Sequence, residues 1–205
     1  MDTRIGIGWD SHAFKAGVPL KIGGMALDHP EGLAGHSDGD VLLHAVTDAL
    51  LGSIAAGDIG TFFPPGDPRW KDADSAIFIN LALEELRHAG YRILNVDTTL
   101  VLAAPKIGPV AGEMRSRVAD LLGVEIDKVS IKAKTPEGMN LDHVAQCHAV
   151  VLVQRIGELD DQKHMSGEIE SQQEMEAVVE DVLSSVHGTQ KRRVAAPVYD
   201  TEDIT

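Results

Sequence analysis

One cysteine, Cys147, is all the thiol this 205-residue chain contains. That excludes an intrachain disulfide and makes a reducing, cytoplasmic compartment the natural expectation. No apolar run approaches the roughly 18 to 20 residues that a membrane span needs, so a soluble chain with no membrane partner is expected. The opening MDTRIGIGWD lacks a basic region, an apolar stretch and a small-residue cleavage site, and carries no readable secretory signal. Positive charge is also scarce: 18 lysines and arginines face 32 aspartates and glutamates, a net charge of −14. Nucleic acid is therefore not an expected partner, because phosphate contacts need a basic surface. A recognisable Ser-His-Asp triad, catalytic cysteine, Walker loop or GxGxxG turn is missing as well, and no internal repeat is evident.

What is present suits one ordinary domain with an appendage. The 43% hydrophobic and 24% charged content is that of a globular protein. The acidity is uneven, with twelve acidic and four basic side chains in residues 157–205. We read residues 1–156 as the functional domain and 157–205 as an acidic extension. Within the extension, Met175, Val178, Val179, Val182 and Val186 recur at helical spacing and predict an amphipathic helix near 167–187.

Hydrophobic patterning orders the domain. Residues 3–9 and 19–25 read as strands, and a helix follows from Ser37 to about Ala56, with Ser37 and Asp40 placed like a capping box. Residues 57–73 are crowded with Gly, Pro and Asp and read as a long ordered loop. Further helices fit 74–89 and 109–122, each stopped by a glycine, and strands fit 95–102, 128–134 and 145–154. The order predicts an α/β (α+β) sandwich: a mixed sheet with helices gathered on one face.

The chemistry lies in two clusters. Asp10 and His12 are two apart, so on an extended segment both point to one side, within reach of one ion. His44 lies on the helix that begins near Ser37; taken alone, His44 also reads as a satisfied buried histidine and Asp10–His12 as a surface turn, but together the three favour a zinc site whose fourth position stays open for substrate. Asp40 and Asp48, one helical turn either side of His44, are placed to orient its ring. His36 either contacts substrate or caps the helix. Asp38 and Asp40 also complement the helix dipole. Lys132, Lys134, Thr135 and Glu137 cluster at the exit of a strand, where they hold a phosphate and a hard divalent ion or merely solvate a strand end. Lys106, in AAPKIG, is similarly open between a ligand contact and a surface lysine.

In this order, GIGWDSHAF, GLAGHSDGDVLLHAVTDALLG, GDIGTFFPPGDP, ADS, NVD, APK and IKAKTPEG resemble the 2-C-methyl-D-erythritol 2,4-cyclodiphosphate synthase family over residues 3–155. The resemblance implies a homotrimer with active sites between subunits, Zn²⁺ together with Mg²⁺ or Mn²⁺, and a small cytidylyl diphosphate substrate cyclised with release of CMP. By matching position, it assigns zinc to Asp10, His12 and His44 and the second metal to Glu137. His36 and Thr135 fall at the transition-state-stabilising pair. Asp10, His12, Ser37, Asp58, Ile59, Gly60, Phe63 and Asp67 match substrate-binding positions, as do Ala103, Ala104, Pro105, Lys106, Lys134, Pro136 and Glu137. Pro65 replaces a frequent acid, and GMNLDHVAQ lacks an arginine and acid associated with a cavity on the trimer axis. A zinc-dependent phosphoesterase is the rival reading, and a binding protein on a degenerate scaffold a more distant one.

Overall fold

Two glycines in the opening strand set how closely the principal helix approaches the sheet. A computed structural model describes residues 2–64 and 66–157; Pro65 and the helix expected near 167–187 lie outside the described residues. The first strand, β1 (Thr3–Ala16), alternates an inner row of Gly6 and Gly8 with an outer row of Ile5, Ile7 and Trp9. Helix α1 (Val41–Ser53) lies across the inner row. A Cβ on Gly6 would stand 1.8 Å from the Ala49 carbonyl oxygen, and one on Gly8 1.9 Å from that of Ala45. Glycine opposite alanine therefore allows backbone-to-backbone contact. Gly8→Ala is expected to destabilise the domain by about 3 kcal/mol or more, since the neighbour is main chain and cannot step aside. Urea denaturation measures this, and an unchanged midpoint would refute the close approach.

Five strands form one sheet in the order β4–β1–β7–β5–β6. They are β1, β4 (Glu31–Leu33), β5 (Tyr91–Val101), β6 (Val129–Lys134) and β7 (Val144–Arg155). Only β5 and β6 run parallel, so the sheet is mixed, as expected. Helices α1, α3 (Ala76–His88) and α4 (Ala111–Leu122) pack against it. The shared core includes Leu42, Leu50, Ile79, Leu81, Leu100 and Met114, all essentially inaccessible to water.

The structure corrects several boundaries. The first strand runs on to Ala16 because β7 pairs with it as far as Ala13 and β4 with its last three residues, Phe14 opposite Leu33. Residues 19–25 are not one strand: β2 (Leu20–Ile22) and β3 (Met25–Leu27) make a hairpin turning at Gly23 and Gly24, both at positive φ. Helix α1 begins at Val41 and is capped by Asp40, not Ser37. The Asp40 carboxylate accepts the amides of Leu42 and Leu43, and also those of Gly23 and Gly24. Burial raises the Asp40 carboxyl above its ordinary value, the four amides offset part of that cost, and they fasten the hairpin turn to the helix start. The loop at 57–73 contains a short helix, α2 (Ile59–Phe62), and a 3₁₀ turn at Pro68–Trp70.

Candidate functional site

The helix–sheet register that forces glycine at positions 6 and 8 also builds the site. Ala49 lies over Gly6 and Ala45 over Gly8, so α1 descends antiparallel to β1. The same strand row continues to Asp10 and His12, beneath the first turns of the helix, where His44 sits. Asp10 Oδ2 is 2.9 Å from His12 Nε2 and 2.9 Å from His44 Nδ1, and the two nitrogens are 3.1 Å apart.

At most two sides of this triangle can be good hydrogen bonds, because two ring N–H groups that both donate to Asp10 confront each other. A cation at the centre removes that conflict. In a tetrahedral zinc site with bonds of about 2.0–2.1 Å, ligand atoms stand about 3.3 Å apart, close to the spacing here. One carboxylate oxygen and two imidazole nitrogens fit zinc by size and chemistry, and three protein ligands leave a fourth position open. Burial opposes the Asp10 charge, yet the His12 and His44 imidazoles beside it outweigh burial and hold the carboxyl well below the usual carboxylate range. Burial likewise opposes protonation of His12, and the bond to Asp10 more than reverses it, raising the imidazole above its ordinary value.

The far side of the His44 ring differs from the sequence expectation. Neither Asp40 nor Asp48 orients it: Asp40 is engaged by four amides, and Asp48 Oδ1 accepts the Ile59 N–H at 2.8 Å. Nε2 instead faces the hydroxyls of Ser75, at 2.9 Å, and Ser37, at 3.0 Å. Ser75 carried no local signal beyond its place in ADS, since only the fold brings the start of α3 beside α1.

Around this centre the loops are stitched together. His36 Nε2 donates to the Asp67 carbonyl at 3.0 Å, and the His36 carbonyl accepts the Asp72 amide. The Asp67 carboxylate is occupied by Arg69, whose hydrogen bonds lower its pKa. Asp58 caps α2, with Ile59 and Gly60 in its first turn. Phe63 is buried against Trp70 and Phe78, so its side chain is part of the core and only its backbone is available to a ligand.

A second set of expected residues gathers elsewhere. Ala103, Pro105 and Lys106 line a cavity of about 280 Å³ together with Ala133, Lys134 and Thr135. Ala104 belongs to the same turn, through a cis peptide to Pro105. The Thr135 hydroxyl donates to the Glu137 carboxylate, and Glu137 has positive φ. Pro136 beside them is buried.

These two sets lie at one end of the sheet on different strands. Ser11 pairs with Gln146, Gln146 with Val101, and Val101 with Lys134. Three strand spacings of about 4.8 Å thus put roughly 14 Å between the β1 and β6 backbones. Within one chain the zinc-type triangle and the Thr135–Glu137 end are apart.

The model of the YgbB family matches residues 3–154. The 2-C-methyl-D-erythritol 2,4-cyclodiphosphate synthase of Koribacter versatilis (strain Ellin345) is 60% identical over 152 residues, spanning 74% of this chain and 98% of that protein. A solved 2C-methyl-D-erythritol-2,4-cyclodiphosphate synthase is 40% identical with a TM-score of 0.70, over 74% of this chain and 100% of that one. A CDP-bound form of such a synthase matches with a TM-score of 0.70 at 38% identity, over 74% of this chain and 100% of that one.

Proposed function

This chain belongs to the YgbB family, and from that premise we infer that it converts 4-diphosphocytidyl-2-C-methyl-D-erythritol 2-phosphate into 2-C-methyl-D-erythritol 2,4-cyclodiphosphate and CMP. It is a phosphorus–oxygen lyase of the non-mevalonate isoprenoid route. The observation that carries this reading is the convergence of Asp10, His12 and His44 in a chain 60% identical to a named synthase.

In the reaction an oxygen of the 2-phosphate bonds to the β-phosphorus while the bridge to the α-phosphate breaks, and CMP departs with the bridging oxygen. Nucleophile and leaving group belong to one molecule, so the protein needs no nucleophile of its own. Its task is to fold the substrate and stabilise charge on the reacting phosphates. A zinc ion at the triangle, and a magnesium or manganese ion at Glu137, would supply Lewis-acid stabilisation of phosphoryl oxygens. The His36 N–H and the Thr135 hydroxyl, which here rest on the Asp67 carbonyl and the Glu137 carboxylate, are suited to exchange those partners for the same oxygens when substrate binds. Ser37 and the Asp58–Gly60 turn flank the methylerythritol unit, and backbone near Phe63 and Asp67 borders it. The cavity of Ala103 to Lys106 suits cytidine: its walls are largely apolar, and Lys106 and Lys134 offer countercharge to phosphate in an otherwise acidic protein.

Two observations support a homotrimer with shared sites. One is the distance between the halves of the site across the sheet. The other is the outer row of β1, where Ile5, Ile7 and Trp9 are 69%, 72% and 53% exposed, next to Val150 on β7; a second copy would cover this apolar face. Residues 1–156 form the catalytic domain in this reading, with 157–205 an appendage and the cytoplasm as the compartment. Among the described residues no helix is long and apolar enough to cross a membrane.

Purified protein given this substrate, Zn²⁺ and Mg²⁺ should release CMP and a cyclic diphosphate that takes up no oxygen from ¹⁸O-labelled water. Labelled, linear phosphate products would instead establish hydrolysis. Glu137→Gln should retain zinc while raising the Mg²⁺ or Mn²⁺ concentration for half-maximal rate by about tenfold, because a hard cation loses its one protein carboxylate. Unchanged dependence on that ion would remove Glu137 from its role.

A further inference from the structure

The ring nitrogen of His44 that faces away from Asp10 and His12 enters a chain of polar groups that the metal reading does not use. Ser75 Oγ lies 2.9 Å from His44 Nε2 and 2.5 Å from Asp38 Oδ1. Asp38 also accepts the backbone N–H of Ser75 at 3.2 Å and that of Asp40 at 3.3 Å, and Lys21 Nζ lies 3.3 Å from it. Lys21 in turn reaches Asp74, at 3.4 Å. Ser75 is wholly buried and His44 nearly so.

Proton placement follows from what each group can do. The Asp38 carboxylate only accepts, so the Ser75 hydroxyl spends its single proton on it. The Ser75 oxygen then presents a lone pair to His44, which must donate through Nε2–H. A neutral imidazole protonated at Nε2 has its other lone pair on Nδ1, the atom aimed at Asp10 and His12. We propose that Ser75 and Asp38, backed by Lys21, are positioning residues that fix the tautomer and orientation of His44 as a metal ligand. This rests on the zinc reading of the triangle.

The arrangement does two things for a ligand. It removes the competing tautomer, in which a proton on Nδ1 would block coordination, and it lets the partly buried Asp38 carboxylate polarise the ring through the hydroxyl, leaving the Nδ1 lone pair directed at a cation. It also ties the start of α3 to the site, so the segment ahead of that helix and the metal ligand are held by one network. Ser37, the other hydroxyl near Nε2 at 3.0 Å, meets no carboxylate among the described residues and accepts a long bond, at 3.4 Å, from the Gly39 amide. It cannot dictate the proton's position in the same way.

The test is zinc affinity by chelator competition on the full chain, with long-range ¹H–¹⁵N correlation of the His44 ring in the zinc-loaded protein. The unmutated protein should show a proton on Nε2 and a metal-bound Nδ1. Ser75→Ala should weaken zinc about 10- to 100-fold with the thermal midpoint of the metal-free protein little changed, and Asp38→Asn should shift affinity in the same direction. A proton on Nδ1, or zinc affinity in Ser75→Ala within about threefold of the unmutated protein, would overturn the assignment while leaving the zinc site in place. Unmutated protein that takes up no zinc would overturn both. The ring spectrum needs no substitution, so a variant that fails to fold leaves the assignment decidable.

Discussion

Replacing His44 by alanine is expected to strip the protein of zinc and to lower CMP release by about a thousandfold or more. The ring nitrogen is one of three atoms in the triangle, and Asp10 and His12 alone leave a carboxylate and one imidazole, too few for a stable tetrahedral site. Lewis-acid stabilisation of a phosphoryl transition state is worth several kcal/mol, and each 1.36 kcal/mol is about tenfold in rate. His44 is also nearly buried against Phe78, so the variant's fold is to be checked by circular dichroism before its rate is read. Metal content by atomic emission and single-turnover CMP release are the measurements. A folded His44→Ala protein that retains stoichiometric zinc, or turns over within tenfold of the unmutated enzyme, would remove the triangle from the chemistry.

Mixing two inactive variants should restore activity. His44→Ala damages the β1–α1 half of a site, and Thr135→Ala damages the β6 half, which lies roughly 14 Å away across the sheet. If a site takes one half from each of two neighbouring copies, a trimer containing both variants has some sites with neither lesion. Random assembly from equal amounts makes an intact pairing at roughly one quarter of sites, since each half must independently come from the other variant. Co-refolded or co-expressed protein should therefore reach about a quarter of unmutated activity, from parents that each have almost none. If both halves of a site belonged to one chain, every site would keep a lesion and the mixture would stay as inactive as its parents. Mixing the folded trimers without subunit exchange is the control, and it should also stay inactive.

The path from residues to site shows where local pattern suffices. Alternation in β5 and the apolar spacing in α1, α3 and α4 were legible because each follows from a period of two or 3.6 within a short window, and the glycine stops because they are local. The Asp10–His12 pair was legible for the same reason, its spacing fixing both side chains to one strand face. The Gly23–Gly24 turn was not read although two glycines between short runs are a hairpin signal: each arm is only three residues, too short for alternation to stand out, and it is Asp40 that gathers both glycine amides. Phe63 shows the converse, a residue matched to a ligand-binding position whose ring the fold buries against Trp70 and Phe78.

Donor chemistry, the order of the elements and the two sets of functional residues were present before folding, because side-chain type and short-range periodicity are properties of the unfolded chain. Tertiary structure alone decided which atoms meet. Ser75 reaches His44 across 31 residues, Asp40 and Asp48 lose that place to partners off the helix, and Thr135 ends three strands from Asp10. Such meetings depend on strand pairing and on how closely a helix rides over glycine, which no local window encodes.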